Sequence, residues 1–259
     1  MNEINDHTEY PQKTLLRGDG QHIAYHSTRG KTPGVIFLGG FRSDMTGTKA
    51  TALERACIAN NRAFVRFDYF GHGASSGSFV SGTIGRWCED VIAVLDQLTI
   101  GPQVLVGSSM GGWIMLLAAL ERPDRVAGLI GVAAAPDFTE DLMWSGFDAS
   151  IRRTLETDGV YLEPSPYDPE PTPITLALIE EGRKHLVLRQ PIPFDGPVRL
   201  IQGTDDPDVP WQHALRTAEA LTSHDVVVSL IKGGDHRLSE PEQIAHILRT
   251  VEETCELCS

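Results

Sequence analysis

The chain predicts an α/β fold built on a mostly parallel, doubly wound sheet. Three observations carry that prediction. Short continuous apolar runs end in Gly, Ser or Asp, as in "GVIFLGG" (34–40) and "QVLVGSS" (103–109). Each is followed by a segment with apolar residues at helical spacing. Strands of this continuous kind are buried on both faces, which requires helices on both sides of the sheet. Strands that alternate with helices pair in parallel through right-handed crossovers, and no internal repeat suggests another architecture.

The elements follow in order. "HIAYHS" (22–27) alternates and reads as an edge strand. "GVIFLGG" (34–40) is a buried strand, "KATALERACIAN" (49–60) a helix and "AFVRFDYF" (63–70) a strand. "RWCEDVIAVLDQL" (86–98) is helical, "QVLVGSS" (103–109) a strand, and "GGWIMLLAALERP" (111–123) a helix stopped by its proline. "VAGLIGVAAA" (126–135) is the next strand. The rhythm then breaks. Residues 137–195 hold prolines at 164, 166, 169, 171 and 173, then a helical stretch "ITLALIEEGRKHLVL" (174–188). This reads as a lid insertion within a single domain of residues 1–259. The rhythm returns with "PVRLIQG" (197–203), a helix near 211–222, "DVVVSLI" (225–231) and a final helix near 240–256.

A formal charge of −13 repels phosphate backbones, so nucleic acid is not an expected partner. No apolar run is long enough to span a bilayer. The first residues, "MNEINDHTEYPQK", have neither a basic nor an apolar region of a secretory signal, and a cytoplasmic location is expected. The four cysteines are too few for a disulfide scaffold. Cys255 and Cys258 form a C-x-x-C with no second ligand pair, so they read as two thiols in a frayed tail.

In such sheets, function gathers at the carboxyl ends of the strands. "VGSSMGGW" (106–113) places two serines there. Ser109 has Gly107 two before and Gly111 two after, fitting G-x-S-x-G, whereas Ser108 has Val106 and Met110 at those offsets and fails. The glycines are required because the serine sits on a sharp strand-to-helix turn. A serine needs a base, and the base needs an orienting acid; here the order should be Ser, acid, His. Asp206 in "GTDDPDVP" lies just past a strand, with Asp205 and Asp208 as turn residues and Asp137 as a weaker rival. His236 in "KGGDHRLS" lies in a glycine-rich loop before the last helix. His213, His224 and His246 are placed on helices or at the wrong strand end, and His72 in "FGHGASSG" reads as structural. Oxyanion donors should be the backbone N–H groups of Met110 and Phe41, with Gly39 and Gly40 letting the second backbone come close. Leu142, Met143, Trp144 and Phe147, with Gly40, are candidate substrate-pocket residues. No phosphate loop or dinucleotide fingerprint is present, so no cofactor is expected, and no metal.

These stretches resemble the α/β-hydrolase superfamily. More narrowly, "TGTKA", "RFDYFGHGASSG", "VLVGSSMGGW", "LIGVAAA", "PVRLIQGTDDPDVPW" and "DHR" are similar to the mitochondrial palmitoyl-protein thioesterase and acyl-glucuronide esterase family, from about Ile36 to Arg237. The resemblance implies Ser109 as nucleophile, Asp206 as acid and His236 as base, the positions that spacing selects. It implies an ester or thioester substrate, a small molecule or an acylated protein. Two departures stand out: Gly39-Gly40-Phe41 replaces a usual Pro-Gly-Tyr, and Gln202 replaces a usual His. The absent transit segment fits a bacterial relative.

The expected reaction is hydrolysis of carboxylic esters or thioesters through an acyl-enzyme on Ser109. The same triad could instead cleave a C–C bond or carry out perhydrolysis, and a catalytically silent ligand receptor on the same fold is the reading from another class.

Overall fold

The computed structural model describes residues 11–164 and 169–259; Pro166 of the proline run and the first ten residues lie outside them. The strands are β1 (Lys13–Leu16), β2 (His22–Thr28), β3 (Lys31–Leu38), β4 (Arg62–Phe67), β5 (Gln103–Ser108), β6 (Val126–Val132), β7 (Val160–Glu163), β8 (Thr172–Thr175), β9 (Val198–Gly203) and β10 (Val226–Ile231). The helices are α1 (Thr48–Ala59), α2 (Ile84–Leu98), α3 (Met110–Glu121), α4 (Ala149–Asp158), α5 (Leu176–Gly182), α6 (Gln212–Ala220) and α7 (Pro241–Leu257).

Eight strands form one sheet in the order β1-β2-β4-β3-β5-β6-β9-β10. The pairs from β4 through β3, β5, β6 and β9 to β10 are parallel, and β1 and β2 add antiparallel pairings at one side. The two-residue side-chain period of a strand divides the core. Ile36, Leu38 and Leu105 pack with α2 and α3 on one face. Val35, Phe37, Val104 and Val106 pack with α1 and α7 on the other. Helix α3 is apolar around most of its circumference and buries ten of its residues, from Met110 to Ala119, as expected of a helix enclosed by protein.

Three expectations need correction. Strand β2 is not the edge, because β1 pairs outside it. β1 is four residues long and mostly exposed, so it has no alternation to detect. The helix expected over 174–188 is only α5. Ile174 pairs with Tyr161 in a separate β7–β8 sheet, and the Thr175 side chain caps α5 at its start. The backbone N–H groups of Val187 and Leu188 leave the helical pattern to reach Asp137. The C-terminal cysteines are not in a frayed tail either. Cys255 is a fully buried part of α7, and Cys258 donates its thiol to Ala127 O at 3.3 Å. Burial pushes the Cys255 thiol up to about 12, leaving it poorly nucleophilic.

The described residues of 133–197, between β6 and β9, contribute no strand to the main sheet. They form a π-helical turn (Thr139–Trp144), α4, the β7–β8 pair and α5. No helix among the described residues is long and apolar enough to cross a membrane.

Candidate active site

Ser109 lies between β5 and α3 with φ 53 and ψ −118. This is a sparsely populated conformation for a residue with a Cβ, and it persists only where its surroundings fix it. Ser109 N–H donates to Val132 O, while its carbonyl accepts from Gly112 and Ala135. The two motif glycines are required sterically. A Cβ on Gly107 would lie 2.3 Å from Gly111 O, and one on Gly111 would lie 2.2 Å from Leu38 O. Ser108 is buried at the strand end and is not part of the hydrogen-bonded relay described next.

His236 Nε2 accepts from Ser109 Oγ at 3.0 Å, and His236 Nδ1 donates to Asp206 Oδ2 at 2.9 Å. The carboxylate is an acceptor only, so it fixes the imidazole tautomer. The Asp206 side chain is wholly shielded from solvent, and that of His236 is 17% exposed. Burial pushes the Asp206 carboxyl up. The His236 ring and the N–H groups of Val209 and Asp208 outweigh it and hold the carboxyl below its ordinary range. The loops after β9 and β10 are locked to each other. Asp205 N–H donates to Gly234 O, Gly233 N–H to Thr204 Oγ1, and a Cβ on Gly203 would lie 2.1 Å from Gly234 O. Lys49 Nζ donates to Arg237 O, tying α1 to the residue after His236. Asp206, Asp208 and His236 offer three potential metal-ligand atoms within 4.8 Å of one another. In this structure the Asp206 and His236 atoms are engaged by each other and by Ser109.

The rival residues are occupied elsewhere. Asp137 is buried and accepts from Val187 and Leu188 N–H at 2.8 and 2.9 Å. His213 is buried against Pro136 O, His224 is exposed at the far end of β10, and His246 lies on α7. His72 is structural in a specific way. Its Nδ1 donates to Phe70 O, and its Nε2 accepts from the backbone N–H of Arg42. Burial holds the ring down at about 4, so it stays neutral and able to accept. Arg42 has φ 57, and its side chain donates to Pro171 O and Thr172 Oγ1. The loop carrying Phe41 is thereby pinned on one side to His72 and on the other to the inserted segment. Met110 opens α3, where a backbone N–H has no intrahelical acceptor.

A cavity of about 680 Å³ opens on Ser109 and His236. Phe41, Phe138, Leu142, Met143, Phe147 and Ile151 supply its apolar wall. Of the candidate pocket residues, Leu142, Met143 and Phe147 line this cavity, and Trp144 and Gly40 do not. Trp144 is not on the wall; it lies under the guanidinium groups of Arg152 and Arg183, 5.3 and 4.8 Å from its ring centre. Gly40 lines a second cleft of about 380 Å³, with Lys49, Ser109 and His236. Sequence reasoning missed Arg42 and the contact of Gln202 with Asp206. The departure at position 202 is the signal for the latter.

Strand order, elbow and relay together are those of an α/β-hydrolase. The α/β hydrolase fold family matches residues 50–164, and a mouse protein named palmitoyl-protein thioesterase ABHD10, mitochondrial, is 42% identical over 240 residues, 92% of this chain and 80% of that protein. The chain belongs to the α/β-hydrolase family. A crystal structure from Agrobacterium vitis S4 superposes with a TM-score of 0.90 at 41% identity, covering 95% of this chain and 99% of that one. Mouse α/β hydrolase domain-containing protein 10 superposes with a TM-score of 0.90 at 40% identity, covering 96% and 100%.

Proposed function

We propose that this protein is a serine hydrolase that cleaves acyl thioesters or carboxylic esters through an acyl-enzyme on Ser109. The observation that carries the reading is the unbroken Asp206–His236–Ser109 relay facing a cavity with an apolar wall. The relay supplies a base in the right tautomer beside a weak nucleophile, and the wall suits the hydrocarbon part of an acyl group.

In this reading Ser109 Oγ attacks the acyl carbonyl as His236 Nε2 takes its proton. The N–H groups of Met110 and Phe41 receive the developing oxyanion; removing one such donor typically costs about 3 kcal/mol of barrier lowering. His236 then protonates the leaving thiol or alcohol. Water, deprotonated by the same imidazole, releases the acid. Asp206 stays ionised throughout and stabilises the imidazolium. Activity falls in acid because a protonated His236 cannot accept the Ser109 proton. Residues 137–195 act as the lid of a single domain and set the acyl preference through Leu142, Met143 and Phe147. The name of the mouse relative makes a thioester-linked acyl group, on a protein or a small thiol, the first substrate to try. A cytoplasmic location accompanies this reading, whereas the relatives are named as mitochondrial.

The test is a panel of p-nitrophenyl esters and acyl thioesters of increasing chain length, run with the native protein and with Ser109→Ala. The reading requires turnover that Ser109→Ala lowers by at least about 10³-fold. Turnover that survives the substitution contradicts it.

A further inference from the structure

Four donors converge on the Asp206 carboxylate. Oδ1 accepts from the backbone N–H groups of Asp208 and Val209 at 2.9 and 2.8 Å. Oδ2 accepts from His236 Nδ1 at 2.9 Å and from Gln202 Nε2 at 2.8 Å. Gln202 is the last residue but one of β9 and is 1% exposed. Its second amide proton goes to Val209 O at 3.0 Å. Both acceptors around Nε2 are oxygens, so turning the amide over would set Oε1 against a carboxylate and a carbonyl. The orientation is therefore dictated by its partners. It leaves Oε1 buried with no hydrogen-bond partner among the described residues, an arrangement that is ordinarily unfavourable. An apolar side chain of similar size would remove that penalty but withdraw a donor from Asp206 Oδ2 and from the buried Val209 carbonyl. What the amide supplies that an apolar side chain could not is its pair of donors, one to Asp206 Oδ2 and one to Val209 O.

We propose that Gln202 is a positioning residue for the reaction: it fixes the rotation of the Asp206 carboxylate and shares the charge of the oxygen that holds His236. The inference rests on the serine-hydrolase reading of the site. Gln202 and His236 share Oδ2. Withdrawing the Gln202 donor leaves more of the oxygen's charge to the imidazole and favours its protonated form. It also frees the carboxylate to turn about its remaining bonds. The other charged groups around His236 are Asp208 beyond β9, Arg42 and Asp44 after β3, Lys49 on α1, Glu163 on β7, and Asp235 and Arg237 on its own loop. A neutral substitution at 202 leaves the charge of each unchanged.

The experiment measures pH–rate profiles of kcat/KM on one p-nitrophenyl ester for the native protein, Gln202→Leu, Gln202→Met and Gln202→His, with thermal unfolding of each. Removal of the donor in the Leu and Met variants moves the acid limb upward by about half to one pH unit and lowers kcat about tenfold, with little change in unfolding temperature because the relieved Oε1 offsets the donors lost to Asp206 and Val209 O. Gln202→His, which restores a ring N–H but brings a titration of its own, is read only on the alkaline plateau above about pH 8, where it is neutral, and returns kcat there to within about threefold of native. Two apolar variants are used so that a misfit of one does not decide the result. An unmoved limb in a folded apolar variant overturns the inference, as does a rate loss matched by lost stability with the limb in place. Failure of the native protein to hydrolyse any ester instead removes the underlying reading, so the two failures are distinct.

Discussion

The strand-end loops that carry Ser109, Asp206 and His236 and the inserted segment that walls the cavity are built by different means. The loops are fixed by backbone contacts too close for any side chain, at Gly107, Gly111 and Gly203. The insertion is held by polar side chains that reach across long stretches of chain. Asp137 grips Val187 and Leu188, Arg189 pairs with Asp137 and Asp141, and Arg42 binds Pro171 O and Thr172 Oγ1. A backbone contact admits almost no substitution, whereas a side-chain clasp admits another clasp or another length of insertion. The contrast separates a rigid part, which holds Ser109, Asp206 and His236, from an adjustable part, which shapes the cavity.

Substitutions in the two regions should therefore differ in kind. The largest effect is expected from Gly111→Ala. Its Cβ has nowhere to go but into Leu38 O and Gly39 O, so the variant should lose about 3 kcal/mol or more of stability and its active-site labelling together, read by denaturant unfolding and probe binding. Acid should act next, through His72. Burial holds its folded value at about 4 against an ordinary 6.5, so the unfolded chain takes up the proton first. The stability present above pH 6.5 is lost as pH falls toward 4, by roughly 3 kcal/mol in all. His72→Gln, whose amide oxygen can still accept from Arg42 N–H, should flatten that part of the stability–pH curve.

Asp137→Asn probes the clasp. It keeps one acceptor, loses the second and weakens the Arg189 pair, at about 1–3 kcal/mol. Steady-state kinetics should show KM for long-chain esters rising more than kcat falls. The smallest effects separate two aromatic residues of the insertion. Phe147→Ala enlarges the cavity and should shift the chain-length optimum upward. Trp144→Ala loses its contacts with Arg152 and Arg183 and its packing on the small cluster of Phe147, Leu155, Ile174 and Ile179, and should leave that optimum in place while costing about 1–2 kcal/mol of stability. Equal shifts in both would blur the assignment of the wall.

The same division governs what could be read from the sequence. Ser109, Asp206 and His236 are legible because each depends on a local pattern: glycines at fixed offsets, or an acid and a histidine just past a strand. The parallel sheet is legible because its strands are apolar without interruption. The insertion is not legible in that way. Whether 174–188 is one helix depends on Asp137, some fifty residues upstream, and Trp144 leaves the pocket because two arginines stack on it. β1 carries no periodicity, and Cys255 is buried by packing that composition does not reveal. Gln202 is visible as a departure from a familiar pattern, but its meaning appears only when its amide is found on Asp206.

The central claim is that Ser109 is the nucleophile of this relay. The most direct measurement is to treat the native protein with a fluorophosphonate probe, digest it, and locate the adduct by tandem mass spectrometry. The account predicts a single adduct on Ser109, lost in Ser109→Ala and greatly slowed in His236→Ala. An adduct on another residue, or labelling that persists in Ser109→Ala, would contradict it.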